Sequence, residues 1–350
     1  MRPERVVIKI GTSSLISAGA PDPAKLSALA DALLRLRDDG RQPVLVASGA
    51  IALGTRRLPR DGRQGDTARQ LAAAVGQGLL FEAFRRGLEQ RGLTAAQVLL
   101  TPLDVTGPEH RDSVRAVLES CLDTGLVPVV NENDTVMVRN NDVLAALLAA
   151  SLGAGRLVLL TDVPGLYESD PRRDANARRI PVVSAMTPEV ERLAGASAHG
   201  PGTGGMQAKL CAAWIATLAG VPTVIAGADA EDAVVRAVRG EDIGTLVHAR
   251  ARDKQPGLRR LWRALSKPPA ARLRGGPDAR RLVAGGGPLT ARHLGFCDRP
   301  FASDDVVDVL APDGRVIARG RTGVASTALA DAAADLPVLH HTEYISLLEE

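Results

Sequence analysis

At 350 residues and 36.6 kDa, with 45% hydrophobic and 24% charged side chains, the chain is long enough for two domains with real cores and too apolar to be mainly disordered. The net charge of +3 is uneven: residues 1–250 balance 28 basic against 28 acidic side chains, 252–292 carry 11 basic against 2 acidic, and 293–350 carry 4 against 10. The longest apolar run near the middle, Val143–Leu152, falls far short of the ~20 residues that span a bilayer, and three scattered cysteines (Cys121, Cys211, Cys297) without Cys-x-x-Cys spacing argue against a disulfide framework and against a metal site.

Arg5–Ile10 is a continuous apolar run and predicts a buried strand, ending at Gly11-Thr12-Ser13-Ser14. Asp22-Pro23 opens a helix to about Asp39, with Leu26, Leu29, Leu33 and Leu36 on one face and Gly40 as its stop. Pro43–Ala47 predicts a second strand, ending at Ser48-Gly49-Ala50. A long helix over Thr67–Gln90, a strand over Thr94–Leu100 and a helix over Pro108–Asp123 follow. Leu126–Val130 reads as a strand running into Asn131-Glu132-Asn133-Asp134, and Asp142–Leu152 as an apolar helix. Arg156–Leu160 is a strand ending at Thr161-Asp162, Thr203–Ala219 a helix, and Pro222–Ala226 a last parallel strand. This alternation specifies a parallel sheet covered by helices on both faces. Ligands of such sheets bind beyond the carboxyl ends of the strands, and those ends are here small, polar or acidic. After residue 250, proline and glycine punctuate shorter segments. Val306–Leu310 and Val316–Ala318 flank Pro312-Asp313-Gly314, a hairpin signal. A first domain over 1–255 and a small, mainly β second domain over 262–350 are expected, with the boundary between His248 and Pro268. Met1–Arg5 leads directly into Val6 with no apolar leader, so a cytoplasmic location without membrane contact is expected.

Glycine-rich turns at strand ends present backbone N–H groups, and a following helix adds its positive N-terminus; both suit phosphate. Ser13-Ser14, Ser48-Gly49-Ala50 and Gly202-Thr203-Gly204-Gly205-Met206-Gln207-Ala208-Lys209 supply such turns, although glycines also enter helices without any ligand. Only five of the 43 basic residues are lysines, and two of these, Lys9 and Lys209, sit beside these turns. Gly200, Gly202 and Gly205 match GxGxxG without a preceding strand, and no Walker A sequence is present. Asp134, Asp142 and Asp162 are the acidic candidates. Phosphoryl transfer needs charge neutralisation, by lysine and Mg²⁺, more than covalent chemistry by the protein, and one aspartate can orient two lysines. Helix capping is the plain alternative for Asp142. No Ser–His–Asp or Cys–His set stands out, and 2% aromatic residues make a poor base-stacking platform. The basic 252–292 stretch still leaves a nucleic-acid surface open.

Several runs resemble, in order, the motifs of the amino acid kinase family: Val7–Ser14, Val46–Ala52, Ala73–Gln77, Pro128–Asp134, Leu159–Asp162 with Gly165–Tyr167, Asp170–Arg172, and Gly202–Met206 with Lys209. They cover most of residues 5–248. The resemblance implies a three-layer αβα sandwich with a mostly parallel sheet, followed by a small β-rich, PUA-like barrel that residues from about 262 resemble less closely. It implies ATP-dependent, Mg²⁺-dependent phosphorylation of the γ-carboxylate of L-glutamate, the first step of proline synthesis, with feedback by proline. It assigns Lys9 and Lys209 to the transferring phosphoryl group and Asp142 to positioning both. Thr161, Asp162 and the run Thr203, Gly204, Gly205, Met206, Gln207, Ala208 and Lys209 go to ATP together with Lys9, and Ser48, Gly49, Asp134 and Asn141 to glutamate. A homo-oligomer, dimer or tetramer, is implied, with nucleic acid binding confined at most to the second domain. The family usually reads Gly-Asp-Asn-Asp where this chain has Arg139-Asn140-Asn141-Asp142. Altered glutamate affinity and altered proline inhibition are therefore expected. The rivals are another acid or phosphate as substrate, or a catalytically weak RNA-binding regulator.

Overall fold

In the computed structural model, the apolar runs of the first 250 residues become the middle of an eight-stranded sheet. The described residues are 3–17, 19–59, 64–137, 140–195, 205–251, 255–329 and 333–348. In hydrogen-bonding order the strands are Val182–Val183, Gly244–Val247, Thr223–Gly227, Arg156–Thr161, Glu4–Lys9, Arg41–Val46, Val127–Glu132 and Ala95–Leu100. All neighbours pair parallel except Thr223–Gly227 with Gly244–Val247. Glu4–Lys9 is central, with Ile8 opposite Leu45 on one side and Val158 on the other. Val6, Val7 and Ile8 are 0% exposed, as are Val44, Leu45, Leu157 and Val158. Helices cover both faces, which is why these strands read as unbroken apolar runs rather than alternating ones.

Val6 and Ile8 pack with Leu29, Leu33 and Leu36 of the helix Pro23–Asp38, with Phe84 and Leu88 of Asp66–Glu89, and with Val234 and Val238 of Ala233–Arg239. Side chains alternate along a strand, so Val7 and Lys9 point to the opposite face. There the helices Asn141–Ser151 and Met206–Leu218 pack on each other and on the sheet. Asn141–Ser151 is buried without interruption from Asp142 to Ala149. Its Leu144, Leu147 and Leu148 are fully buried, and each contributes about 1.5–3 kcal/mol. Asn140 caps it: the side chain accepts the Asp142 N–H at 2.8 Å.

Several short elements lie where the sequence reading placed none. Pro102–Thr106 is a helix of its own ahead of Arg111–Asp123, which the reading began at Pro108. A capping box starts Pro102–Thr106, in which the Thr101 N–H and hydroxyl both donate to Asp104 Oδ2 at 2.7 Å. Ala50–Thr55 is helical, and Gly244–Val247 adds the antiparallel strand. The helix expected from Thr203 is described as Met206–Leu218 with Gly205 as its cap; Thr203, Gly204 and Arg139 lie outside the described residues. Ala50–Thr55 and Asp66–Glu89 meet backbone to backbone. A Cβ on Gly54 would fall 1.7 Å from the Ala72 carbonyl oxygen, and one on Gly76 would fall 1.8 Å from that of Ala50.

The chain divides into two compact units, residues 1–250 and 251–350. In the second, a five-stranded sheet runs in the order Leu294–Cys297, Ala271–Gly275, Val306–Leu310, Val316–Arg321 and Tyr344–Ser346. The expected hairpin forms, with Val306–Leu310 antiparallel to Val316–Arg321. Leu273, Val307, Val309 and Ile317 make its core. Asp308 and Arg319 form a buried pair across the hairpin at 2.6 Å. No helix of the described residues is long and apolar enough to cross a membrane.

Candidate active site

Lys9 ends the central strand on the face that Asn141–Ser151 covers. Its Nζ lies 3.0 Å from Asp142 Oδ1. Lys209, in the first turn of Met206–Leu218, reaches Asp142 Oδ2 at 3.3 Å. Asp142 is 0% exposed, Lys209 3% and Lys9 4%. Two ammonium groups against one carboxylate leave a net positive charge away from bulk water. Burial alone pushes the Asp142 carboxyl up, but the charges of Lys209 and Lys9 outweigh it and hold the group below the usual carboxylate range. Burial is the largest influence on Lys9 and lowers its pKa; Asp142 opposes that shift and Lys209 adds to it.

Above the two ammonium groups opens a cleft of about 660 Å³. Its wall takes in Lys9 and Lys209, the turns Gly11–Ser13 and Ser48-Gly49, Thr161, Asp162, Gly205, Asp134, Asn140 and Asn141. These are the carboxyl ends of the central strands, as the topology requires. Asp142 is not in the wall and joins the two wall lysines from behind. Met206, Gln207 and Ala208 are not in the wall either; they form the first turn of their helix. Gly49 has φ +125°, and a Cβ there would stand 2.8 Å from Ile16 Cδ1, so this turn admits only glycine.

Asp134 is 9% exposed, and its carboxyl is pushed up to about 6 by burial, partly opposed by Arg69. Three elements are tied together around it. Asn141 Oδ1 accepts the Glu132 N–H at 3.0 Å, the Asn131 amide donates to Gln77 Oε1 at 2.6 Å, and the Gln70 amide donates to the Val136 carbonyl at 3.3 Å. Thr161 donates to Asp162 Oδ1 at 3.2 Å, and Asp162 is exposed and paired with Arg172 at 2.7 Å. Arg69, Glu132 and Arg172 also line the cleft, and sequence reasoning gave none of them a role. Glu132 and Arg172 sit inside motifs that had been singled out. Arg69 carried no such signal, since an arginine near the start of an amphipathic helix reads as a solvated face.

A buried excess of positive charge under an open cleft suits an anionic group that gains charge during reaction. The buried carboxylate of Asp134 offers a place for a cation in the same cleft. A match to the amino acid kinase family spans residues 4–227. The glutamate 5-kinase of Trichlorobacter lovleyi is 38% identical over 337 residues, covering 92% of this chain and 88% of that protein. The glutamate 5-kinase of Streptococcus suis is 35% identical over 362 aligned positions, covering 99% of this chain and 100% of that protein. Among solved structures, a carbamate kinase from Giardia lamblia bound to AMP-PNP superposes with a TM-score of 0.51 at 16% identity, over 70% of this chain and 98% of that one, a likeness of fold alone.

Proposed function

The chain belongs to the amino acid kinase family, and from that premise we propose that it transfers the γ-phosphoryl group of ATP to the γ-carboxylate of L-glutamate, giving γ-glutamyl phosphate and ADP, the first step of proline synthesis. Relatives named glutamate 5-kinase, similar over nearly the whole chain, support the substrate. The single observation that carries the chemistry is the buried Lys9–Asp142–Lys209 set beneath the cleft.

Donor and acceptor are both anions, so their approach is repulsive and positive charge must be in place beforehand. Lys9 and Lys209 supply it from both sides of Asp142. A unit charge about 4 Å away in a medium of effective dielectric ~20 is worth about 4 kcal/mol, so two ammonium groups can lower the barrier by many powers of ten less their cost in the ground state. Asp142 opposes the lowering of the Lys9 pKa by burial and fixes where both ammonium groups point. A carboxylate is already nucleophilic at neutral pH, so no strong general base is required. Thr161, Asp162 and the turn that reaches Gly205 serve the nucleotide, together with Lys9 and Lys209. Ser48, Gly49, Asp134 and Asn141 serve the amino acid, with Asp134 facing its ammonium. Mg²⁺ would come with the phosphates of ATP and add to the charge neutralisation that the lysines supply. The same reading includes a cytoplasmic homo-oligomer, feedback by proline altered by the Arg139-Asn140 departure, and a PUA-like C-terminal unit.

The test is turnover of magnesium-ATP by the purified chain with hydroxylamine as acyl-phosphate trap. L-glutamate is run beside L-aspartate and N-acetyl-L-glutamate. Hydroxamate selective for L-glutamate is expected. Product from another acid only, or from none, overturns the reading.

A further inference from the structure

Arg69 stands out among the arginines of the first unit. Most of the others are spent on ion pairs, as Arg35 is with Asp232, Arg85 with Glu82 and Arg91 with Asp31. Arg69 is half-buried and lines the cleft, and its side chain has no hydrogen-bond or ion-pair partner among the described residues. Its charge is felt at Asp134, yet the two do not close to ion-pair distance. The Asp134 carboxylate likewise accepts no hydrogen bond from a described residue, although it is 9% exposed. The cleft wall therefore holds a guanidinium and a carboxylate, each without a hydrogen-bond or ion-pair partner among the described residues. The segments that carry them are tied together: Gln70, next to Arg69, bonds the carbonyl of Val136, and Gln77, two turns on, bonds Asn131.

We propose that Arg69 receives the α-carboxylate of the amino-acid substrate, so that Arg69 and Asp134 together read the zwitterionic head of a free α-amino acid. This rests on the function proposed above and adds the rule by which the site selects its acceptor. A guanidinium fork binds a carboxylate through two parallel N–H donors, and an ammonium group one carbon away then meets Asp134. The head brings no net charge, so the wall charges of Arg69 and Asp134 are matched one for one. The side-chain carboxylate is left to the two lysines. An acid lacking the α-carboxylate loses the Arg69 contact, and an N-acylated one loses the ion pair with Asp134.

The experiment compares L-glutamate with 4-aminobutyrate, which keeps the amine and the reacting carboxylate but has no α-carboxylate. Hydroxamate formation is followed in the full-length wild type, Arg69→Gln and Arg69→Lys, with KM for ATP measured in each. In Arg69→Gln, KM for L-glutamate rises roughly 10- to 100-fold, as for loss of a charge-assisted contact. KM for ATP stays unchanged, and the preference for L-glutamate over 4-aminobutyrate shrinks by the same factor. Arg69→Lys keeps the charge without the fork and falls between. If Arg69→Gln slows both acids equally, or leaves KM for L-glutamate where it was, Arg69 is not a substrate ligand. The reaction itself still stands in that case, because the wild type makes glutamate hydroxamate. A wild type that makes hydroxamate from no acid overturns the reaction and this inference with it.

Discussion

Asp142→Asn removes one charge and almost no volume. The side chain is 0% exposed, and its two oxygens face Lys9 at 3.0 Å and Lys209 at 3.3 Å. At those separations and an effective dielectric of ~20, each attraction is worth roughly 5 kcal/mol before desolvation is counted. Breaking one side of a buried pair costs about 3–5 kcal/mol in practice. In a unit of this size that lowers the melting temperature by roughly 6–20 °C near neutral pH. The pH dependence is the sharper readout. Burial already lowers Lys9, and Asp142 is what opposes it. Without the carboxylate, the folded pKa of Lys9 falls further below its unfolded value near 10.4. Between those two values the unfolded chain binds more protons than the folded one, so the variant becomes more stable as pH rises, up to the unfolded value. Thermal melts from pH 6 to 10 and hydroxamate turnover are the assays. Turnover falls by orders of magnitude, since both ammonium groups lose their anchor. A variant that melts with the wild type, at every pH, would refute the electrostatic account.

Three further outcomes follow from the same geometry. Lys209→Ala folds but loses roughly 100- to 1,000-fold in kcat with KM for L-glutamate little changed, because a contact used in the transition state is gone; near-normal turnover would remove Lys209 from the chemistry. Asp134 must be ionised to hold an ammonium group, and its carboxyl titrates at about 6, so KM for L-glutamate falls as pH rises from 5 to 7 and levels off above. The raised pKa costs stability above pH 6, so Asp134→Asn melts higher than the wild type at pH 7.5 while binding L-glutamate more weakly and without that pH dependence; a lower melt would contradict the burial argument. Gly76→Ala forces apart two helices whose backbones touch and costs about 1–3 kcal/mol or more, read as a lower denaturant midpoint.

The strands Glu4–Lys9, Arg41–Val46 and Arg156–Thr161 were legible because a sheet covered on both faces writes its strands as unbroken runs of Val, Ile and Leu. The strand ends were legible for the same topological reason, and Lys9, Ser48, Asp134 and Thr161 all reach one cleft. Shorter elements were hidden. Ala50–Thr55 has six residues and too few turns to show a period, and Gly244–Val247 has four. Pro102–Thr106 was readable in principle from Thr101-Pro102 and Asp104, but five residues are too few to show a helical period. For Asp142 the capping alternative turned out to belong to its neighbour: Asn140 caps, which frees the Asp142 carboxylate for the lysines. That also explains why asparagine fits at 140, since it caps as well as aspartate. Arg69 could not be found from the chain alone, because its meaning lies in having Asp134, 65 residues later, across a cleft.

The place of Glu4–Lys9 in the sheet bears on how the chain is made. It is synthesised before both of its neighbours, one of which, Arg156–Thr161, lies more than a hundred residues downstream. At about 5–20 residues per second, roughly 6–25 s pass between completion of Arg41–Val46 and of Arg156–Thr161. Throughout that interval a central strand with the buried run Val6, Val7 and Ile8 has a pairing edge with nothing yet available to occupy it. Lys9 stands at the end of that strand, so its ammonium waits somewhat less long for Asp142 and longer for Lys209. Nascent-chain length therefore sets when the catalytic charges can first meet, and a pause in translation after residue 50 would prolong exposure of that open strand edge.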